Sequence, residues 1–154
     1  MDVKVVFIGN ILMGDDGIGP YLYNELKDYP KLKEVKMYEL GVIGLDLINF
    51  IEKDDRLVIV DAVYSKGNIG EVVLLREKDL SKDLKLVSMH DFGVEQTSTI
   101  LRMYQPDLKE IKIIGIKVDK INRISDKLSD GLMKKIPKIK ERVLSYILKI
   151  SKED

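Results

Sequence analysis

Apolar residues follow two rhythms along this chain. Val3-Lys4-Val5-Val6-Phe7-Ile8 is a near-continuous apolar run, which reads as a strand buried on both faces. Ile18, Leu22 and Leu26 then recur at helical spacing. Pro20 falls in the first helical turn, whose amides have no partner anyway, and Tyr29-Pro30 closes the element. Val35 to Leu40 alternates, which predicts a second, half-exposed strand. Gly41 to Gly44 turns into a short helix carrying Leu45, Leu47, Ile48 and Ile51. Arg56 to Ala62 is another buried apolar run, a third strand that ends on an acid, Asp61. Gly67-Asn68-Ile69-Gly70 is turn chemistry, and Glu71 to Leu75 is a fourth strand. Too few residues separate strands three and four for a helical crossover, so an antiparallel strand is expected there.

Glu77 to Leu86 is polar and reads as surface loop. Ser88-Met89-His90-Asp91 precedes a helix over about Phe92 to Tyr104, with Ser88 or Asp91 available as its cap. Lys109 to Ile116 is the fifth strand. A loop with Asn122 and Asp126 leads to a last helix, about Ser129 to Ile150, striped by Ile136, Ile139, Val143, Ile147 and Ile150. Its Lys134, Lys135, Lys138, Lys140 and Arg142 form a solvated face. This order predicts a single domain over residues 1–154, a three-layer α/β/α sandwich. Its sheet is mostly parallel and five-stranded, with one antiparallel strand. The carboxyl ends of strands one and three then share one edge, the usual ligand position of such sheets.

Composition narrows the function. Lys and Arg total 26 and Asp and Glu total 26, for a net charge of zero, so no global field attracts nucleic acid. No apolar stretch approaches the roughly 18 residues of a membrane span. The start lacks the layout of a signal peptide, so a cytoplasmic protein is expected. With no cysteine there is no disulfide, thiolate ligand or Cys nucleophile. Nothing in the pattern sets an oligomeric state.

The candidate chemistry starts in the loop after the first strand, Gly9-Asn10-Ile11-Leu12-Met13-Gly14-Asp15-Asp16-Gly17-Ile18-Gly19-Pro20. Gly9 and Gly14 have P-loop spacing, but Asp15 stands where the phosphate-binding Lys belongs. Ile11 replaces the second glycine of the dinucleotide fingerprint. Either Asp15 or Asp16 can instead cap the following helix, where free amides and the dipole favour a carboxylate. Asp61 has a similar structural reading, as a partner for loop amides. His90 is the one histidine, and a lone histidine is more often a surface or core residue than a ligand. The topology, however, brings it to the edge that carries the acids. One imidazole and two carboxylates make a plausible divalent-metal set without sulfur, and Asp91 is a candidate to orient the ring. There is no Gly-x-Ser-x-Gly elbow and no His-Glu-x-x-His, so a hydrolase here needs a metal or a carboxylate to activate water.

The loop from Gly9 to Pro20 resembles the opening motif of the nickel–iron hydrogenase maturation endopeptidases. Val58-Ile59-Val60-Asp61-Ala62 is similar to their third-strand motif, and Ser88-Met89-His90-Asp91 to their histidine loop. The resemblance implies an α/β/α sandwich that removes a short C-terminal extension from a hydrogenase large-subunit precursor after nickel insertion. It also implies a metal-binding site of Asp16, Asp61 and His90 that engages nickel supplied by the precursor. The residue after the histidine varies among such proteins, so no family role passes to Asp91. Two other readings compete. One is a non-catalytic nickel- or hydrogenase-binding module on the same fold. The other is a nucleotide-binding protein, which the acid-bearing loop argues against.

Overall fold

The computed structural model describes residues 3–41, 45–77, 94–119 and 124–153. Its strands are β1 (Val3–Ile8), β2 (Lys36–Gly41), β3 (Arg56–Tyr64), β4 (Val72–Arg76) and β5 (Glu110–Val118). Its α-helices are α1 (Ile18–Leu26), α2 (Val94–Tyr104), α3 (Asp130–Met133) and α4 (Ile136–Ser151). The described residues form one five-stranded sheet in the order β2-β1-β3-β5-β4. β2, β1, β3 and β5 run parallel, and β4 lies antiparallel on β5, with Val72 opposite Ile116. The expected mixed sheet is therefore the observed one.

Alternation along the buried strands divides the core into two layers. Val5, Phe7, Val58, Val60, Ile114 and Ile116 face α1 and α4. Leu57, Ile59, Val63, Ile111 and Ile113 face the opposite side, with Leu47, Ile51 and Leu101 of α2. The predicted stripe of α4 is buried throughout: Ile136, Ile139, Val143, Ile147 and Ile150. β2 takes the sheet edge, and its residues are exposed or half-buried.

Two elements differ from expectation. The short helix after β2 is a 3-10 segment, Leu45–Phe50. The last helix is not continuous from Ser129: Ser129 caps α3, and α4 starts at Ile136. Pro137 explains the break, because it has no N–H to give to the preceding turn and its ring crowds that turn's carbonyl. The helix predicted from Phe92 is described from Val94 onward; most of the predicted loop before it lies outside the described residues.

Two glycines place the site loop. A Cβ on Gly9 would fall 2.1 Å from the Asp16 carbonyl oxygen and 2.9 Å from Pro20 Cδ. A Cβ on Gly19 would fall 2.1 Å from the Ile8 carbonyl oxygen. Only a residue without Cβ lets α1 and the loop before it press onto the end of β1.

The opposite end of the sheet is an ionic belt. Lys4 pairs with Asp55 at 2.8 Å, and Lys112 with Glu153 at 2.7 Å. Arg56 donates to the Ile150 carbonyl at 2.6 Å and to the Glu153 carbonyl at 2.7 Å. The three cations are buried, a position that stays favourable only with partners this close.

Candidate functional site

After β1 the chain folds on itself. The Met13 amide donates to the Asn10 carbonyl at 3.0 Å, and Asn10 Oδ1 accepts the Leu12 amide at 3.0 Å. A 3-10 turn, Gly14–Gly17, then leads into α1. Neither helical start has a side-chain cap, so the capping reading fails for both acids of this loop.

The two neighbours point to different tasks. Asp15 reaches across to the start of α3: its Oδ1 accepts the Ser129 amide at 2.7 Å and its Oδ2 the Ser129 hydroxyl at 2.8 Å. Ser129 Oγ in turn accepts the Leu132 amide at 3.2 Å. Asp15 is thus a brace between the loop and α3. Asp16 is buried, and its Oδ2 accepts the Asn10 amide at 3.2 Å.

Asp61 lies near the carboxyl end of β3, opposite Gly115 of β5. It is fully buried, and its Oδ1 accepts the Ala62 amide at 2.8 Å. By alternation it falls on the sheet face covered by α2. Tyr64, further along the same strand, senses both acids. Burial raises its phenol above the usual tyrosine range, and the negative charges of Asp16 and Asp61 raise it further. Asp16, in the turn after β1, and Asp61, near the end of β3, thus both lie at the carboxyl edge of the sheet, close enough for their charges to act on the half-buried Tyr64 phenol. His90 and Asp91 lie outside the described residues.

The donor chemistry is hard and oxygen-based. Among the described residues no three His, Cys, Asp or Glu side chains form a metal-holding group. Asp16 and Asp61 supply two oxygen donors, fewer than the roughly four ligands of a closed structural site. Sequence reasoning missed two parts of this arrangement. Tyr64 stands at the end of a strand already singled out for Asp61, and that position was the available signal. The Asp15–Ser129 brace spans the chain, and nothing local marks it.

Beyond the site, Glu77 at the end of β4 is clamped to α2. Its Oε2 accepts from Ser98 Oγ at 2.6 Å and Arg102 Nε at 2.8 Å, and its Oε1 from a terminal Arg102 nitrogen at 2.6 Å. The guanidinium holds the Glu77 carboxyl below the usual range against the opposing effect of burial, with Ser98 adding to the lowering.

A sequence profile of the hydrogenase maturation protease family matches residues 20–146. That range contains Asp61 and His90 and begins after Asp16. The Hydrogenase 2 maturation protease of Escherichia coli (strain K12) is 28% identical over 119 residues, covering 75% of this chain and 73% of that protein. The hydrogenase expression/formation protein HupD of Bradyrhizobium diazoefficiens is 28% identical over 116 residues, covering 73% of this chain and 60% of that protein. Among solved structures, the NiFe hydrogenase maturation protease HybD from Thermococcus kodakarensis is similar with a TM-score of 0.73 and 27% identity. The match covers 95% of this chain and 99% of that one.

Proposed function

This chain belongs to the hydrogenase maturation protease family, and from that membership we propose that it removes the C-terminal extension of a nickel-loaded hydrogenase large-subunit precursor in the cytoplasm. The family activity is peptide hydrolysis: water adds across a C–N bond and leaves a carboxylate and an amine. The observation that carries the proposal is the pair of buried acids at the carboxyl edge, Asp16 in the turn after β1 and Asp61 near the end of β3. In this reading Asp16, Asp61 and His90 engage nickel that the precursor carries as part of the substrate. Oxygen and nitrogen donors hold nickel more weakly than thiolates do. Such a site samples a thiolate-bound ion without extracting it.

The electrostatics support a metal-bearing substrate. Two buried carboxylates favour an approaching cation and disfavour a bare carboxyl terminus. Among the described residues no helix is long and apolar enough to cross a membrane. The test is to incubate the chain with nickel-loaded precursor and measure intact mass. The expected result is one shortened product. Tight binding with no change in mass would replace this reading with the non-catalytic module.

A further inference from the structure

Seven large hydrophobic side chains are exposed among the described residues, and four of them gather beside the site loop. Ile11 and Leu12 lie within that loop, 61% and 56% exposed. Ile124 is 80% exposed, and Met133 at the end of α3 is 43% exposed. The backbone joins them. The Ser125 amide donates to the Leu12 carbonyl at 2.9 Å and the Gly14 amide to the Ser125 carbonyl at 2.8 Å, forming a short parallel bridge between Met13 and Ser125. Ile124 is therefore the chain neighbour of a residue bonded to the loop. Ile11 and Met133 line one cleft of about 450 Å³, together with Gly14, Gly17 and Pro20. That volume lies within the roughly 300–1,000 Å³ of ligand clefts.

We propose that this cleft seats the stretch of precursor next to the scissile bond, taken in extended form through bulky apolar side chains. The inference rests on the proposed function and deepens it. An endopeptidase has to hold chain beside the bond it cuts, and the cleft shares its wall with the loop that carries Asp16. Gly14 and Gly17, which line the cleft, flank Asp15 and Asp16 in sequence. The cleft is also preformed. Asp15 ties the loop to Ser129, and Ser125 ties it to the segment before α3, so little ordering cost falls on binding. Gathered apolar exposure at a wall of this kind marks a contact surface, and the polar Asn24, Asp126, Lys127 and Asp130 also line the cleft, the mix of apolar and polar groups found in protein interfaces.

The test is a double variant, Ile11→Ser with Met133→Ser, two residues that line the cleft, assayed for processing of nickel-loaded precursor, with light scattering of both proteins. Both side chains are exposed, so the fold should persist, and thermal unfolding verifies it. KM should rise roughly tenfold or more, since each lost apolar contact is a substantial part of a tenfold change in affinity. The turnover number should stay within about twofold of wild type, and Met133→Leu should restore most of the loss. An unchanged KM in the double variant overturns the inference and leaves the proposed function standing. A wild-type dimer that the double variant dissolves, with KM unchanged, assigns the cleft to a second copy and also overturns it. A wild type that shortens no precursor overturns the proposed function, and the inference with it.

Discussion

Gly9→Ala tests how the fold aims Asp16. The new methyl would sit 2.1 Å from the Asp16 carbonyl oxygen and 2.9 Å from Pro20 Cδ. Neither neighbour is a flexible side-chain end; one is backbone and the other a ring. Relief requires the 3-10 turn to move away from β1 by roughly 1 Å, because packed interiors offer no slack. Overpacking of this kind costs about 1–3 kcal/mol. For a chain of this size that lowers Tm by about 3–10 °C. The same shift carries the Asp16 carboxylate with it, and a misplacement of roughly 1 Å at a reacting centre can cost about a hundredfold in rate. The assay pairs thermal unfolding with precursor processing under single-turnover conditions. Gly131→Ala is the stability control, since a Cβ there meets nothing within 4 Å. A Gly9→Ala protein with wild-type Tm and wild-type processing would refute the claim that this close approach sets the position of Asp16.

Three other outcomes separate the acids and the ion pairs. Asp16→Asn and Asp61→Asn keep the shape of buried side chains and should stop processing with circular dichroism unchanged; turnover at wild-type rate by either would remove that residue from the site. Asp15→Ala should keep cleaving while losing about 1 kcal/mol of stability in denaturant unfolding, because it loosens the Ser129 brace at α3; full loss of cleavage with unchanged stability would reverse the assignment of the two neighbours. For pH, Lys112 holds the Glu153 carboxyl below its usual 4.5, against the opposing effect of burial, and Arg102 does the same for Glu77. A lowered folded-state value stabilises the fold above the unfolded value and is lost as pH falls through the folded one. Unfolding midpoints should therefore drop as pH falls below about 4.5, and less steeply in a Glu77→Gln, Glu153→Gln double variant; identical pH profiles would show that these pairs contribute nothing.

Much of the architecture was legible because burial leaves a pattern. The apolar runs of β1 and β3 and the stripe of α4 each had a single consistent reading, and the short turn before β4 required reversal. The break at Pro137 was legible in principle, since the ring forbids a continuous helix, but the isoleucine spacing on either side concealed it. The 3-10 form of Leu45–Phe50 was not legible, because an apolar run so short does not distinguish helix types. The acids showed the same divide. Chain order brings Asp15, Asp16 and Asp61 to the carboxyl edge, and the choice of Asp16 over Asp15 rests on the family resemblance. Which of two adjacent carboxylates turns inward depends on Ser129, more than a hundred residues away, and no local pattern encodes that. Tyr64 was hidden for a similar reason: its tie to Asp16 exists only once the turn at Gly14–Gly17 is folded against β3.

The most direct test of the proposed function offers the protein nickel-free and nickel-loaded precursor side by side, with casein as a control and with the protease treated beforehand with a chelator that is then removed. Intact mass is the readout. The proposal predicts that only the nickel-loaded precursor is shortened, that casein is untouched, and that the pretreated protease cuts as fast as the untreated one. Shortening of the nickel-free precursor, or of casein, would contradict it, and so would loss of activity in the pretreated protease, which would mark a metal resident in the enzyme.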